Sequence, residues 1–307
     1  MIALMRLLRT IKIKLLCLWV QICDTIWYIF RHAIVVNGYV DDYTWKGIRH
    51  RNWGDDLNYY FLKELTGRPI VFYHNFKLAK WLKLKNYLCI GTLLDAVNYS
   101  NAETIVWGSG VSGQERTFIH PERIKALRGF KTKEFCDRYK VACPKVIGDP
   151  ALLLPLVYKP SVKKKYRLGI IPHVVDQKHP VINELKEKYC ESVLIIDLAN
   201  YRKWTDVIDQ ICSCEQILSS SLHGLIVSDA YHVPNCWIEL SGNISGGHFK
   251  FFDYASSVER KLVSPIKINS VESLFSLKVD NASSDIISEL QKDLISSCPF
   301  KINNKWL

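Results

Sequence analysis

No Cys-X-X-Cys pair occurs in this chain, although it holds ten cysteines, at positions 17, 23, 89, 136, 143, 190, 212, 214, 236 and 298. A structural zinc site wants two such close pairs or a Cys/His equivalent, and Cys212 with Cys214 is the one close pair, so no metal is expected. Several thiols sit inside apolar runs, as in Leu88-Cys89-Ile90 and Asn235-Cys236-Trp237, where free cysteine behaves as a small buried hydrophobe. A reduced, cytoplasmic protein is the expectation. Glycine (15) and proline (11) are sparse over 307 residues, which excludes collagen-like and low-complexity architecture. Acidic charge is short as well: 30 Asp and Glu face 41 Lys and Arg, a net +11. The surplus suits an acidic lipid surface or a phosphorylated substrate, or simply a solvated basic face. No Lys/Arg tract interleaved with aromatics is present, so no nucleic-acid partner is expected.

Apolar side chains make up 48% of the chain, enough to bury a core, and the length favours two domains. The uninterrupted apolar run 15–20 in the first thirty residues is far short of a bilayer span, so a transmembrane helix is not expected. At 100° per residue Leu7, Leu8, Ile11, Leu15, Leu18 and Ile22 share one face, with Arg6, Arg9, Lys12 and Lys14 around the rest and Asp24 the one acid of this stretch. Residues 1–30 are expected to form a basic amphipathic helix that lies on a membrane or packs on its own domain.

Beyond it, short β-branched runs alternate with helical stretches, which predicts an α/β chain. Strands are expected at 70–73, 87–90, 104–107, 124–127, 145–148, 167–172, 192–197, 216–219 and 235–239, and helices at 55–66, 132–139, 180–189, 203–212, 222–231 and 283–295. Near-continuous apolar strands such as Val193-Leu194-Ile195-Ile196 suit parallel sheets covered on both faces. Two prolines and a lysine cluster between 152 and 165 mark a linker. The expected organisation is therefore residues 31–160 and 161–307 as two Rossmann-like, doubly wound domains facing across a cleft. The last helix is expected to pack back on the first domain.

Six segments place candidate chemistry at strand ends or at the start of a helix. In Leu218-Ser-Ser-Ser-Leu-His-Gly a strand gives way to a helix, and Ser219, Ser220 and Ser221 can cap it while its free amides face an anion. His223 can bind or protonate such an anion, and the positive helix end is expected to depress its pKa; a local structural hydrogen bond is the alternative role. Asn52-Trp-Gly-Asp55-Asp56 precedes an apolar helix, where one acid caps and the other can serve as general base. Gly108-Ser109, Arg128 and Asp149-Pro150 end further runs, with glycine allowing close approach and Arg128 offering a fork for carboxylate or phosphate. Turns explain the glycines and Asp149 equally well. His173 follows the strand that opens the second half.

In order, the segments NWGDDLNYYF (52–61), YLCIGTLL (87–94), IVWGSGV (105–111), ALRGFKTKEF (126–135), VIGDPALLLP (146–155), LGIIPH (168–173) and SSSLHGLIVSDAYHVP (219–234) resemble the polysaccharide pyruvyl transferase family over roughly residues 50–240. The resemblance implies a GT-B-like fold with acceptor-side and donor-side domains. It implies transfer of pyruvate from phosphoenolpyruvate to two hydroxyls of a sugar, free or lipid-linked, forming a cyclic ketal without a cofactor, in the cytoplasm or at the inner membrane face. His223 and Arg128 are then the leading donor-site residues, joined by Ser220, Ser221, Gly108, Ser109 and His173. Asp55 or Asp56 is the expected base, with Asp149 and Asn52 as further candidates. Many relatives carry arginine where this chain has Ser221; loss of that clamp leaves its place to another cation, such as Lys131. A nucleotide-sugar glycosyltransferase, with Asp197 or Glu239 holding a ribose, and a non-catalytic assembly subunit are the competing readings.

Overall fold

A computed structural model describes residues 2–40, 43–44, 47–48, 52–96, 100–114, 120–243, 247–261 and 264–306. The chain opens with helix α1 (Ile2–Arg31), which leads into β1 (Ile34–Val36), the small antiparallel pair β2 (Tyr43–Thr44) and β3 (Gly47–Ile48), and α2 (Trp53–Thr66). The first half continues with β4 (Ile70–Phe72), α3 (Lys77–Trp81), β5 (Asn86–Leu88), β6 (Thr104–Trp107), β7 (Arg123–Ala126), α4 (Phe130–Arg138) and α5 (Leu154–Val157). In the second half come β8 (Tyr166–Ile171), α6 (Pro180–Lys188), β9 (Val193–Ile195), α7 (Trp204–Cys212), β10 (Cys214–Ser219), α8 (Leu222–Ala230), β11 (Asn235–Glu239), α9 (Phe249–Ser257), β12 (Ile266–Lys267) and α10 (Ser284–Ser297).

Both halves build a five-stranded, fully parallel sheet, and both wind it in the same order. Sheet one runs β4-β1-β5-β6-β7 and sheet two β9-β8-β10-β11-β12. In each, the second strand lies outside the first and the third begins a walk in the other direction. The strand order reverses between β1 and β5 in one half and between β8 and β10 in the other. Such a reversal opens a crevice at the carboxyl ends of the strands, which is where ligands bind in this architecture.

The two halves share one apolar core. A single cluster joins Phe61, Leu62 and Trp107 of the first half to Ile226, Trp237 and Tyr254 of the second. The first turn of α2 is fastened to the second half: Trp53 donates its backbone N–H to Leu198 at 2.8 Å and its indole N–H to the Trp204 carbonyl at 2.7 Å. The chain end returns the other way. Trp107 donates to the Leu294 carbonyl on α10, Phe300 packs edge-on against Tyr87 and Trp107, and Asn303 N–H reaches Leu65.

The run at 145–148 forms only an isolated bridge, Leu127 to Ile147, between Pro144 and Pro150. Strand β1 was not expected because its three residues follow α1 with only two intervening. Helix α9, rich in aromatics and without a marked cap, was not expected either, and it carries two of the residues that matter most below. Residues 158–165 hold no regular secondary structure. All ten cysteines are free. Helix α1 is long and apolar enough, over Leu8–Arg31, to cross a membrane by length and composition, despite its broken apolar run.

Candidate functional site

The carboxyl ends of both sheets face a common cavity of about 500 Å³. Its lining comes from the reversal point of each half: Tyr39 after β1 with Gly91, Thr92 and Asp95 after β5, and His173 after β8 with Ser221 and His223 after β10. Asn52 and Asp55 from the start of α2, Ser112 and Gln114 after β6, Arg128 after β7 and Lys250 on α9 add to the polar part of the wall.

His223 sits in the first turn of α8 and is 7% exposed. Its ring lies against the backbone of α2, so close that a Cβ on Gly54 would stand 1.9 Å from Nδ1. Nε2 is buried and has no hydrogen-bond partner among the described residues. Burial, helped by the Lys250 and Arg128 charges, pushes the imidazole down to about 3, so the ring is neutral at pH 7. The expected depression is present, and burial is its largest cause. Ser221 is the N-cap residue of α8 but makes no side-chain cap bond, and its 7% exposure faces the cavity.

Lys250 was not foreseen. Its ammonium makes no hydrogen bond or ion pair among the described residues and lies 5.6 Å from the centre of the Phe251 ring. Burial and the Arg128 guanidinium push it down to about 8, against a smaller opposing pull from Asp55. Burial and Lys250 likewise lower His173.

Arg128 reaches the cavity wall, but its fork is not open for a ligand carboxylate as expected. Fully buried, it donates from Nε to Asp253 Oδ2 at 2.8 Å, from one terminal nitrogen to Thr92 Oγ1 at 2.8 Å and from the other to the Val111 carbonyl at 3.2 Å. Asp253, on α9, also accepts from Thr132 N–H at 2.8 Å and Thr132 Oγ1 at 2.7 Å, and so closes the N-terminus of α4 from across the cleft. Gly110 and Gly129 make room for this pair: a Cβ on either would come within 2.3 Å of Arg128 or 1.9 Å of Asp253.

Of the two adjacent acids, Asp55 lines the cavity and Asp56 does not. Asn52, the N-cap of α2, accepts from Gly54 N–H and donates to Asp55 Oδ2 at 2.7 Å, turning that carboxylate. Asp56 accepts from Tyr201 OH at 2.6 Å and ties α2 to the second half. Asp95, also unforeseen, is held on the wall by Ser112.

The remaining expected residues lie outside the cavity lining. Lys131, on α4, does not line the cavity, whereas Lys250 does. Ser109 donates to the Gly91 carbonyl, and Gly108, at φ +87°, packs so closely on Pro150 that a side chain would overlap it. Ser220 accepts from His173 N–H at 2.8 Å and so sets that histidine in the wall. Asp149 caps the turn that follows it through Ala151 N–H, and burial pushes it up to about 6. Asp197 accepts from Ala199 N–H, and Glu239 pairs with His248 at 2.6 Å; neither lines the cavity. Among the described residues no group of three or more His, Cys, Asp or Glu is gathered to hold a metal ion.

Two known proteins resemble the chain. A protein described as uncharacterized protein L143, from Acanthamoeba polyphaga mimivirus, is 26% identical over 215 residues, covering 64% of this chain and 72% of that protein. The succinoglycan biosynthesis protein ExoV of Rhizobium meliloti (strain 1021) is 28% identical over 221 residues, covering 70% of this chain and 64% of ExoV. The family described as polysaccharide pyruvyl transferase matches residues 22–242, a span that includes β1, both strand-order reversals and every lining residue named here except Lys250. The chain belongs to the polysaccharide pyruvyl transferase family.

Proposed function

We propose that this protein transfers pyruvate from phosphoenolpyruvate onto two hydroxyls of a sugar, making a cyclic ketal during polysaccharide biosynthesis, with its halves arranged in the GT-B manner. One observation carries the reading: an ammonium that makes no ion pair among the described residues and an imidazole nitrogen that finds no hydrogen-bond partner among them line one cavity at the meeting point of two strand-order reversals. A half-buried cation left unpaired is costly, and an anionic ligand relieves that cost. Phosphoenolpyruvate brings a phosphate and a carboxylate in three carbons, the charge density this wall accepts.

The reaction needs a proton delivered to the methylene carbon, attack of one sugar hydroxyl on the central carbon, departure of phosphate, and attack of a second hydroxyl with loss of its proton. The products are the ketal and inorganic phosphate. Lys250 is assigned to the donor's anionic groups, with Arg128 adding its field from the wall. His223, neutral in the empty site, acquires a proton when the donor's negative charge arrives and is assigned as the acid or phosphate ligand. Asp55, turned by Asn52, is assigned as the base that receives the hydroxyl protons. Ser221 opens the helix amides to the same anion.

Purified protein is incubated with phosphoenolpyruvate and a panel of hexosides, following phosphate release and product mass. Phosphate released only when an acceptor is present, with a product heavier by pyruvate less water, is expected; His223→Ala abolishes it with the fold retained. Transfer from a nucleotide sugar, or no turnover with either donor, contradicts the proposal.

A further inference from the structure

Helix α1 is docked along one side only. Gln21 bonds the Asn75 carbonyl and accepts from Lys77 N–H, Tyr28 meets Phe76 edge-on, and Val20 and Asp24 are buried. On the opposite side Leu8, Ile11, Leu15, Leu18, Trp19, Ile22, Ile26, Ile29 and Phe30 are each 43–72% exposed. At 100° per residue these nine fall within an arc of roughly 120°, an apolar stripe along the helix that faces solvent. Soluble chains rarely expose such a continuous patch without a use for it. Arg6, Arg9, Lys12 and Lys14, all exposed, stand on the first half of the same helix, Lys12 and Lys14 near the two borders of the stripe, Arg9 further round and Arg6 on the far side, with no acid before Asp24.

Direction matters too. Gln21 is fastened just beyond the carboxyl end of β4, whereas Arg31 precedes β1, which runs parallel to β4. The helix therefore runs against the strands, and the part before residue 20 overhangs their carboxyl edge, where the cavity lies. From Gln21 back to Met5 that overhang is about 24 Å.

We propose that the solvent-facing stripe of α1 lies in the surface of an anionic bilayer, apolar side chains among the acyl chains and basic ones at the headgroups, bringing the cavity edge to the lipid. Charge complementarity selects this occupant: a second copy of α1 would set four cations against four. Near an anionic surface each basic side chain contributes about fivefold to partitioning. The residues docked on the protein stay docked, so the helix lies on the membrane instead of crossing it.

Full-length protein is floated with phosphatidylcholine vesicles with and without phosphatidylglycerol, at low and high salt. Salt-sensitive binding to the anionic vesicles is expected, at least tenfold weaker both for Leu15→Gln with Ile22→Gln and for Arg9→Glu with Lys12→Glu. These exposed positions leave turnover of phosphoenolpyruvate with a water-soluble acceptor unchanged, so this inference and the donor assignment fail separately. Absence of vesicle binding, binding indifferent to the charge reversals, a dimer that the Leu15/Ile22 variant dissolves, or retention in the membrane after alkaline carbonate washing would each overturn it.

Discussion

Lys250 and His223 are the two groups proposed to meet an anion, and their protonation bears on how activity and stability respond to pH. The Lys250 ammonium, pushed down to about 8, is charged at neutral pH and loses its proton above that value in the empty site. The KM for phosphoenolpyruvate is expected to climb above about pH 8, by up to tenfold per unit, and Lys250→Arg, which stays charged, flattens that rise. His223 acts on stability. Its folded value lies near 3 against 6.5 for the free side chain, so as pH falls through this window the unfolded chain takes up a proton that the folded ring refuses. Stability falls on acidification by up to about 1.4 kcal/mol per pH unit from this group. Asp149 works the other way between 3.8 and about 6, where the folded carboxyl keeps a proton the unfolded one has lost. Comparison of wild type with His223→Gln in urea from pH 7 to pH 4 isolates the histidine: wild type is expected to lose ground steadily to the variant, and a pH-independent difference would contradict a ring buried neutral. His223 was legible because serines and a glycine frame it at a strand-to-helix turn. Lys250 was not, because it stands among aromatics on a helix whose signal was weak, and only folding brings that helix to the cavity.

Two helix starts hold the site, and each depends on a partner distant in sequence. The first turn of α2 was readable as Asn-Trp-Gly-Asp-Asp before an apolar face, a cap and its helix. What local pattern cannot convey is why residue 54 is glycine: the His223 ring lies on it. Gly54→Ala is expected to displace the buried imidazole, to cost about 1–3 kcal/mol of stability by overpacking, and to lower kcat/KM at least tenfold; kinetics beside thermal denaturation check this, and full activity would contradict the packing. The start of α4 is closed by Asp253 of α9, which also pairs with Arg128. The sequence pattern suggested a fork for a ligand because Arg128 ends a strand, and the carboxylate that engages it lies 125 residues away. Asp253→Ala strands a buried guanidinium and is expected to cost about 3–5 kcal/mol, whereas Arg128→Met with Asp253→Leu recovers much of that loss. Denaturant unfolding of the two variants distinguishes the outcomes, and equal losses would show that the pair is not the source.

The alternation of strands and helices that makes two parallel sheets was plain in the sequence, since apolar strands covered on both faces need crossover helices. That both sheets wind in one order, so that two reversal points meet over a single cavity, follows from pairing between distant strands and is invisible locally. The short β1 illustrates this: three residues after a long helix carry little periodicity, yet β1 forms one side of the first reversal. The shared core and the return of α10 to the first half make the cavity wall one structure, with Trp53, Asp253 and Trp107 each joining segments far apart in the chain.

That the meeting point of the two sheets is a seat for a small donor with two anionic groups is tested most directly by titration calorimetry with phosphoenolpyruvate on wild type and Lys250→Met. A charge-assisted contact is worth about 1.5–3 kcal/mol, so the variant is expected to bind roughly 10–100-fold more weakly. Wild type is expected to take up a proton on binding, read from the buffer dependence of the heat, as the His223 imidazole becomes charged. No binding by wild type, or equal affinity in the two proteins, would contradict the account.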